Sequence, residues 1–136
     1  YDYLMPKQFI HEIKVYYEDT DSGGVVYYSN YLKFLERART EFIHSIGLSN
    51  KKLLDDYKTL IIVKSCNIEY IKPAKLEDKL QIYSSIESFN KASFIMIQNI
   101  KKDDDFIIKA KLRLVTVNKE GKPKKIPIVL EKHFTN

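Results

Sequence analysis

One amphipathic helix in an otherwise strand-rich chain sets the strongest limit on the fold. Tyr31, Leu35, Ala38, Phe42 and Ile46 recur at three- and four-residue spacing, which puts them on one helical face. Glu36, Arg37 and Glu41 fall off that line. Ser29 or Asn30 is placed to cap the start by accepting from a free backbone amide, and Gly47 is a natural stop. A short helix over Ser49–Asp55 is expected next. The rest reads mostly as strand: Phe9–Tyr17, Thr59–Ile71 ending near Pro73, Lys79–Phe89, Ala92–Ile100 and Phe106–Val117, with a charged turn at Lys101–Asp105. In the last strand Ile108, Ala110, Leu112 and Leu114 alternate with Lys109, Lys111 and Arg113, so one face is apolar and the other charged. A long helix with an apolar stripe must be covered, and consecutive strands on short turns supply an antiparallel sheet to cover it. The expected class is α+β, a long central helix wrapped by an antiparallel sheet of about five strands.

Composition narrows the function. The 136 residues read as one domain, 1–136, with no repeat or linker, and 44% hydrophobic with 30% charged residues is a globular balance. No apolar run approaches the roughly 18 residues of a membrane span. Tyr1–Ile10 lacks a basic stretch followed by an apolar one, and Met5 is a candidate natural start. Cys66 is the single cysteine, so no internal disulfide or cysteine metal cluster can form in one chain; it reads as a small core residue of a cytoplasmic protein. The net charge of +5 is modest, and no recognition motif accompanies it, so nucleic acid is not an expected partner. Lys119, Lys122, Lys124 and Lys125 form either a solvated loop or a phosphate-attracting cluster. His11, His44 and His133 are far apart and outside any HExxH pattern, Ser22 lacks a GxSxG context, and no Walker or dinucleotide-binding glycines occur. No metal and no cofactor is expected.

Chemistry concentrates in residues 16–40, YYEDTDSGGVVYYSNYLKFLERART. A strand end leads into an acidic turn with two glycines and then a helix start. Gly23 and Gly24 permit a tight turn and close ligand approach. The first helical turn leaves backbone amides unpaired, and its dipole favours negative charge there. A carboxylate beside such amides suits acyl-transfer hydrolysis: it activates water or attacks directly while the amides hold the developing oxyanion. Two other readings stay open. Asp19, Asp21 and Gly24 match positions one, three and six of a calcium loop, though Asn30 stands where position twelve requires Glu. Alternatively Asp19 and Asp21 only stabilise the turn and the helix start.

The same stretch resembles the 4-hydroxybenzoyl-CoA thioesterase family of hotdog-fold enzymes, and is most similar to its branch of bacterial acyl-CoA thioesterases associated with the Tol-Pal system. Tyr17, Asp19, Thr20, Asp21, Gly24, Val25, Val26, Tyr27, Tyr31 and the Glu36-Arg37-Ala38-Arg39 run carry the resemblance. It implies an acyl-CoA substrate hydrolysed to a carboxylic acid and CoA, Asp21 as catalytic carboxylate, and the Tyr28 amide as oxyanion donor. Gly24, Val25, Val26 and Tyr27 are implied as substrate-binding. A homodimer or homotetramer with active sites at the subunit interface is implied too, as is a link to acyl carrier protein or to a membrane-envelope complex. Branch members often carry His where this chain has Tyr28, so no histidine proton carrier is expected at that position. Glu36 and Arg39 are expected to form an ion pair, and Lys109, Lys111 and Arg113 to be solvated or to meet the CoA phosphates. One rival is a non-catalytic acyl-binding or scaffold protein of the same fold, which would not need Asp21. Another is a hotdog dehydratase, which would need a catalytic His beside a Pro-Gly turn; none of the three histidines is so placed.

Overall fold

The computed structural model describes residues 7–134, so the candidate start Met5 and most of the Tyr1–Ile10 segment lie outside the described residues. The elements run β1 (Gln8–Lys14), a 3₁₀ turn at Tyr17–Asp19, α1 (Tyr28–Ser45), α2 (Asn50–Tyr57), β2 (Leu60–Tyr70), β3 (Lys79–Phe89), β4 (Ser93–Lys102), β5 (Asp105–Val117) and a single turn, α3 (Ile128–Glu131). One antiparallel sheet takes the order β1-β3-β4-β5-β2. The hairpins β3–β4 and β4–β5 follow from short turns between period-two strands. β1 and β2 take the two edges.

Mutual burial of α1 and one sheet face makes the core. α1 buries Tyr31, Phe34, Leu35, Ala38, Phe42 and Ile43, the expected stripe widened by Phe34 and Ile43. The sheet contributes Leu80, Ile82, Phe94, Met96, Ile100, Ile108, Ala110, Leu112 and Leu114. The alternation in β5 is as expected, with Lys109, Lys111 and Arg113 on the outer face.

Several boundaries differ for identifiable reasons. β1 stops at Lys14, because the Val15 amide turns to Asp78 O and the Tyr16 amide to Asp19 Oδ2. Neither Ser29 nor Asn30 caps α1: Tyr27 is the N-cap residue, and the Asn30 side chain is committed to Asp19. Ser49 caps α2 by accepting from Lys52 N at 2.9 Å. Cys66 is exposed rather than in the core, since β2 is an edge strand open to solvent from Ile62 to Asn67. Lys124 is not merely part of a solvated loop; its ammonium donates to the Tyr57 and Lys58 carbonyls that end α2.

One polar residue pins the helix to the sheet. Gln98, fully buried on β4, donates from Nε2 to Leu35 O and to Ser84 Oγ, both at 3.0 Å, and accepts from Arg39 Nη1 at 3.0 Å. Arg39 does not form the expected ion pair with Glu36, which accepts from Thr40 Oγ1 instead. Burial pulls the Arg39 guanidinium below its ordinary pKa, and the nearby Glu36 charge partly offsets this. Gln98→Met keeps the volume but removes all three bonds. It should destabilise the fold by about 1–3 kcal/mol in urea unfolding, because the buried Ser84 hydroxyl and the half-buried Arg39 then lose their partner.

Candidate active site

The turn between β1 and α1 is built by short-range bonds. The Asp21 amide donates to Val25 O at 2.9 Å, the Gly24 amide donates to Asp21 O at 3.1 Å, and Thr20 bridges Val26. Gly24 sits at φ +80°, in the left-handed region that glycine enters at little cost. The loop from Ile71 to Asp78 holds this turn from the other side. Val26 N donates to Ala74 O, Leu76 N donates to Gly24 O, and the buried Ala74 amide donates to the Tyr31 hydroxyl at 2.9 Å. Burial raises the Tyr31 phenol above its ordinary pKa, while the Ala74 amide acts in the opposite direction.

The two motif carboxylates have different surroundings. Asp19 is buried, and both its oxygens are engaged, Oδ2 by Tyr16 N and Oδ1 by Asn30 Nδ2, each at 2.9 Å. Asp21 is half-exposed; its Oδ1 accepts from Gly23 N at 2.8 Å and Val25 N at 3.3 Å. Asp21 Oδ2 accepts no bond among the described residues. The two carboxylates hold different partners, and no group of three or more potential metal-ligating side chains occurs among the described residues.

Asp21 lines a cleft of about 320 Å³ with Val25, Val26, Tyr27, Tyr28, Tyr31, Tyr70, Ile71, Lys72 and Pro73. Five of the six residues singled out from sequence thus meet on one wall. Gly24, the sixth, shapes the turn behind them. The Tyr28 and Ser29 amides, at the start of α1, have no acceptor among the described residues, so the positive end of the helix dipole opens beside the cleft. The opposite wall was not legible in the sequence. Tyr70 ends β2 and packs on Tyr28 and Tyr31, with ring centroids 4.8 and 5.9 Å apart, and Ile71–Pro73 follow. Only the pairing of β2 with β5 brings that segment across from residues 21–31. The cation of the cleft is Lys72, 3.4 Å from Asp105, and not Lys109, Lys111 or Arg113. Lys111 pairs with Glu87 at 3.0 Å, and Lys109 lies over the Phe106 ring, both on the outer sheet face. A carboxylate with one free oxygen, unpaired helix amides and an aromatic-walled cleft can hydrolyse an activated acyl group without a metal.

Comparison with known proteins identifies the family and the fold. The model of the thioesterase-like superfamily matches residues 15–134. The acyl-CoA thioesterase YbgC of Haemophilus influenzae is 33% identical over 115 residues, 85% of each chain. The acyl-CoA thioester hydrolase YbgC of Escherichia coli is 36% identical over 117 residues, 85% of this chain and 87% of the relative. The crystal structure of a probable thioesterase from Bartonella henselae superposes with a TM-score of 0.86 at 32% identity, covering 89% of this chain and all of the other. The fold is the hotdog fold expected from the sequence.

The clamp between α1 and the cleft wall is open to test. Tyr31→Phe leaves the buried Ala74 amide without its acceptor and should cost about 1–3 kcal/mol in thermal or urea unfolding.

Proposed function

This chain belongs to the thioesterase-like superfamily and is an acyl-CoA thioester hydrolase, and on that premise we propose how the cleft carries out the reaction. The observation that supports the reading is the pairing, on one wall, of Asp21 with the unbonded amides at the start of α1. The thioester carbonyl lies against the Tyr28 amide, which stabilises the oxyanion as the carbonyl carbon becomes tetrahedral. Asp21 supplies the second function through its free Oδ2, while Oδ1 stays fixed by the Gly23 and Val25 amides. As a base it takes a proton from the attacking water; as a nucleophile it attacks the carbon itself, and water then cleaves the mixed anhydride. In both routes the C–S bond breaks, CoA leaves as thiolate and takes up a proton, and the carboxylic acid is released. Single-turnover hydrolysis in ¹⁸O-labelled water separates the routes, since only the nucleophilic one can leave label in Asp21. Val25, Val26 and Tyr27 line the cleft around the acyl group, and Lys72 is placed for a CoA phosphate. A non-catalytic scaffold would have no use for a carboxylate oxygen held free at a cleft.

We further propose that the site is completed in a homodimer or a homotetramer. β2 offers an unpaired edge along Leu60–Tyr70, and Ile62 and Val63 are 45% and 44% exposed there. An open apolar edge invites a second strand, and in a homo-oligomer that strand comes from another copy. Acyl-CoA is an intracellular metabolite, so we place the enzyme in the cytoplasm; no helix among the described residues is long and apolar enough to cross a membrane.

Two outcomes follow. Asp21→Asn keeps an oxygen for the Gly23 and Val25 amides, so it should fold normally, yet lose about 100-fold or more in kcat on its best acyl-CoA, read by release of free thiol. Turnover within a few-fold of wild type would remove Asp21 from the mechanism. Light scattering at micromolar protein should report two or four times the 16.0 kDa chain mass; a monomer would rule out the interfacial assembly.

A further inference from the structure

Asp19 is a buried carboxylate that the reaction does not use. It is 6% exposed, lies on the loop that carries Asp21, and has no cationic side chain within ion-pair distance among the described residues. Its charge is met instead by two N–H donors, the Tyr16 amide and the Asn30 side chain, each at 2.9 Å. Its carbonyl accepts from Tyr27 N at 3.3 Å. Asn30 is 8% exposed and is the third residue of α1, so Asp19 sits close to the positive end of that helix dipole. Asp19 lies two residues before Asp21, and Asn30 lies two residues after Tyr28. The bond between them therefore ties together the two backbones that carry the carboxylate and the oxyanion amide.

We propose that Asp19 and Asn30 are positioning residues that set the spacing between Asp21 and the Tyr28 amide. The proposal rests on the catalytic reading of Asp21 given above. The physical reason for a charged acceptor is strength. A hydrogen bond to an ionised carboxylate is shorter and stronger than a neutral one, and burial keeps water from competing for it. The other ties of the loop are backbone bonds, from Tyr27 N to Asp19 O and to the Ile71–Asp78 loop through Val26 N and Gly24 O, whereas Asp19–Asn30 is a side-chain bond from the loop to α1 itself. Gly23 and Gly24 make the loop pliable, and the side-chain bonds of Asp21 run to Gly23 and Val25 within the same turn. Thr20–Val26 and Asp21–Val25 pairing close the turn on itself, whereas Asp19–Asn30 joins it to α1. A reacting group misplaced by about 1 Å can lose about 100-fold in rate, so a tie of this kind bears on kcat more than on substrate binding.

Steady-state kinetics on one acyl-CoA, at a temperature where circular dichroism shows every variant folded, tests the idea. Asn30→Ala removes the donor and should lower kcat by about tenfold or more with KM within about threefold. Asn30→Asp sets two carboxylates against each other and should lower kcat further. The exchanged pair Asp19→Asn with Asn30→Asp rebuilds the bond in reverse. The amide nitrogen introduced at position 19 donates to the carboxylate introduced at position 30, while the amide oxygen at position 19 still accepts from Tyr16 N. That double variant should return kcat to within about threefold of wild type. A role confined to stability would leave kcat of the folded single variants unchanged. Full kcat in folded Asn30→Ala overturns the proposal, as does a double variant no better than Asn30→Asp. If Asn30→Asp does not fold, Asn30→Ala and the double variant decide the question. Asp21→Asn, run alongside, keeps the two readings apart. An active Asp21→Asn overturns the catalytic reading and this one with it; an inactive Asp21→Asn with unaffected Asn30 variants overturns only the tie.

Discussion

The fold depends on one constraint: α1 and the sheet each carry a single apolar face, and each is the other's main cover. Burying a large aliphatic or aromatic side chain is worth about 1.5–3 kcal/mol, and α1 alone places Tyr31, Phe34, Leu35, Phe42 and Ile43 against the core. Hydrophobic burial has no direction, however, and would permit the helix to slide or rotate on the sheet. Gln98 removes that freedom. Its bonds to Leu35 O, Ser84 and Arg39 can all form in only one relative placement, so a polar residue in the core fixes the register that the apolar ones leave loose.

With α1 fixed, its N-terminus is fixed as well, and the acidic turn inherits its position. The helix start supplies unpaired amides and a positive dipole end. Around it the chain arranges two carboxylates with opposite fates. Asp19 is buried and each of its oxygens accepts a hydrogen bond, one of them from α1; Asp21 keeps an oxygen unbonded at the cleft among the described residues. Tyr31 extends the same logic to the far wall, since its hydroxyl receives the Ala74 amide and so ties the loop after β2 to the helix. The cleft is thus bounded by three segments that all refer back to α1.

The sheet order has consequences beyond the core. β2 follows α2 but pairs with β5, which sends it to an edge and leaves Ile62–Asn67 open. Cys66 follows the strand into solvent, although its apolar neighbours in sequence suggest a core. Lys109, Lys111 and Arg113 are carried to the outer face, away from the cleft, and Lys72 takes the place by the aromatic wall. Lys124, one of four late lysines, caps α2 because the loop after β5 folds back onto the end of that helix.

How much was legible in the sequence follows the range of the interaction. The α1 stripe, the alternation of β5, the turn at Gly23–Gly24 and the short helix after Ser49 are set by residues within a few positions of one another, and these agree with the structure. The ordered motif from Tyr17 to Arg39 was enough to indicate the family, because Asp21 and the helix start are neighbours in sequence as well as in space. The start of α1 was misread locally, since Asn30 has a stronger partner in Asp19 than a backbone amide offers. What lay beyond reach was set by pairing across long loops: β2 at the edge, Tyr70–Pro73 as the second wall, Lys72 as the cleft cation, and Gln98 linking β4 to α1. Local sequence determines which backbone shapes and which dipoles exist. Only tertiary packing decides which of them face one another, because that choice depends on burying two apolar faces at once, and no single segment carries both.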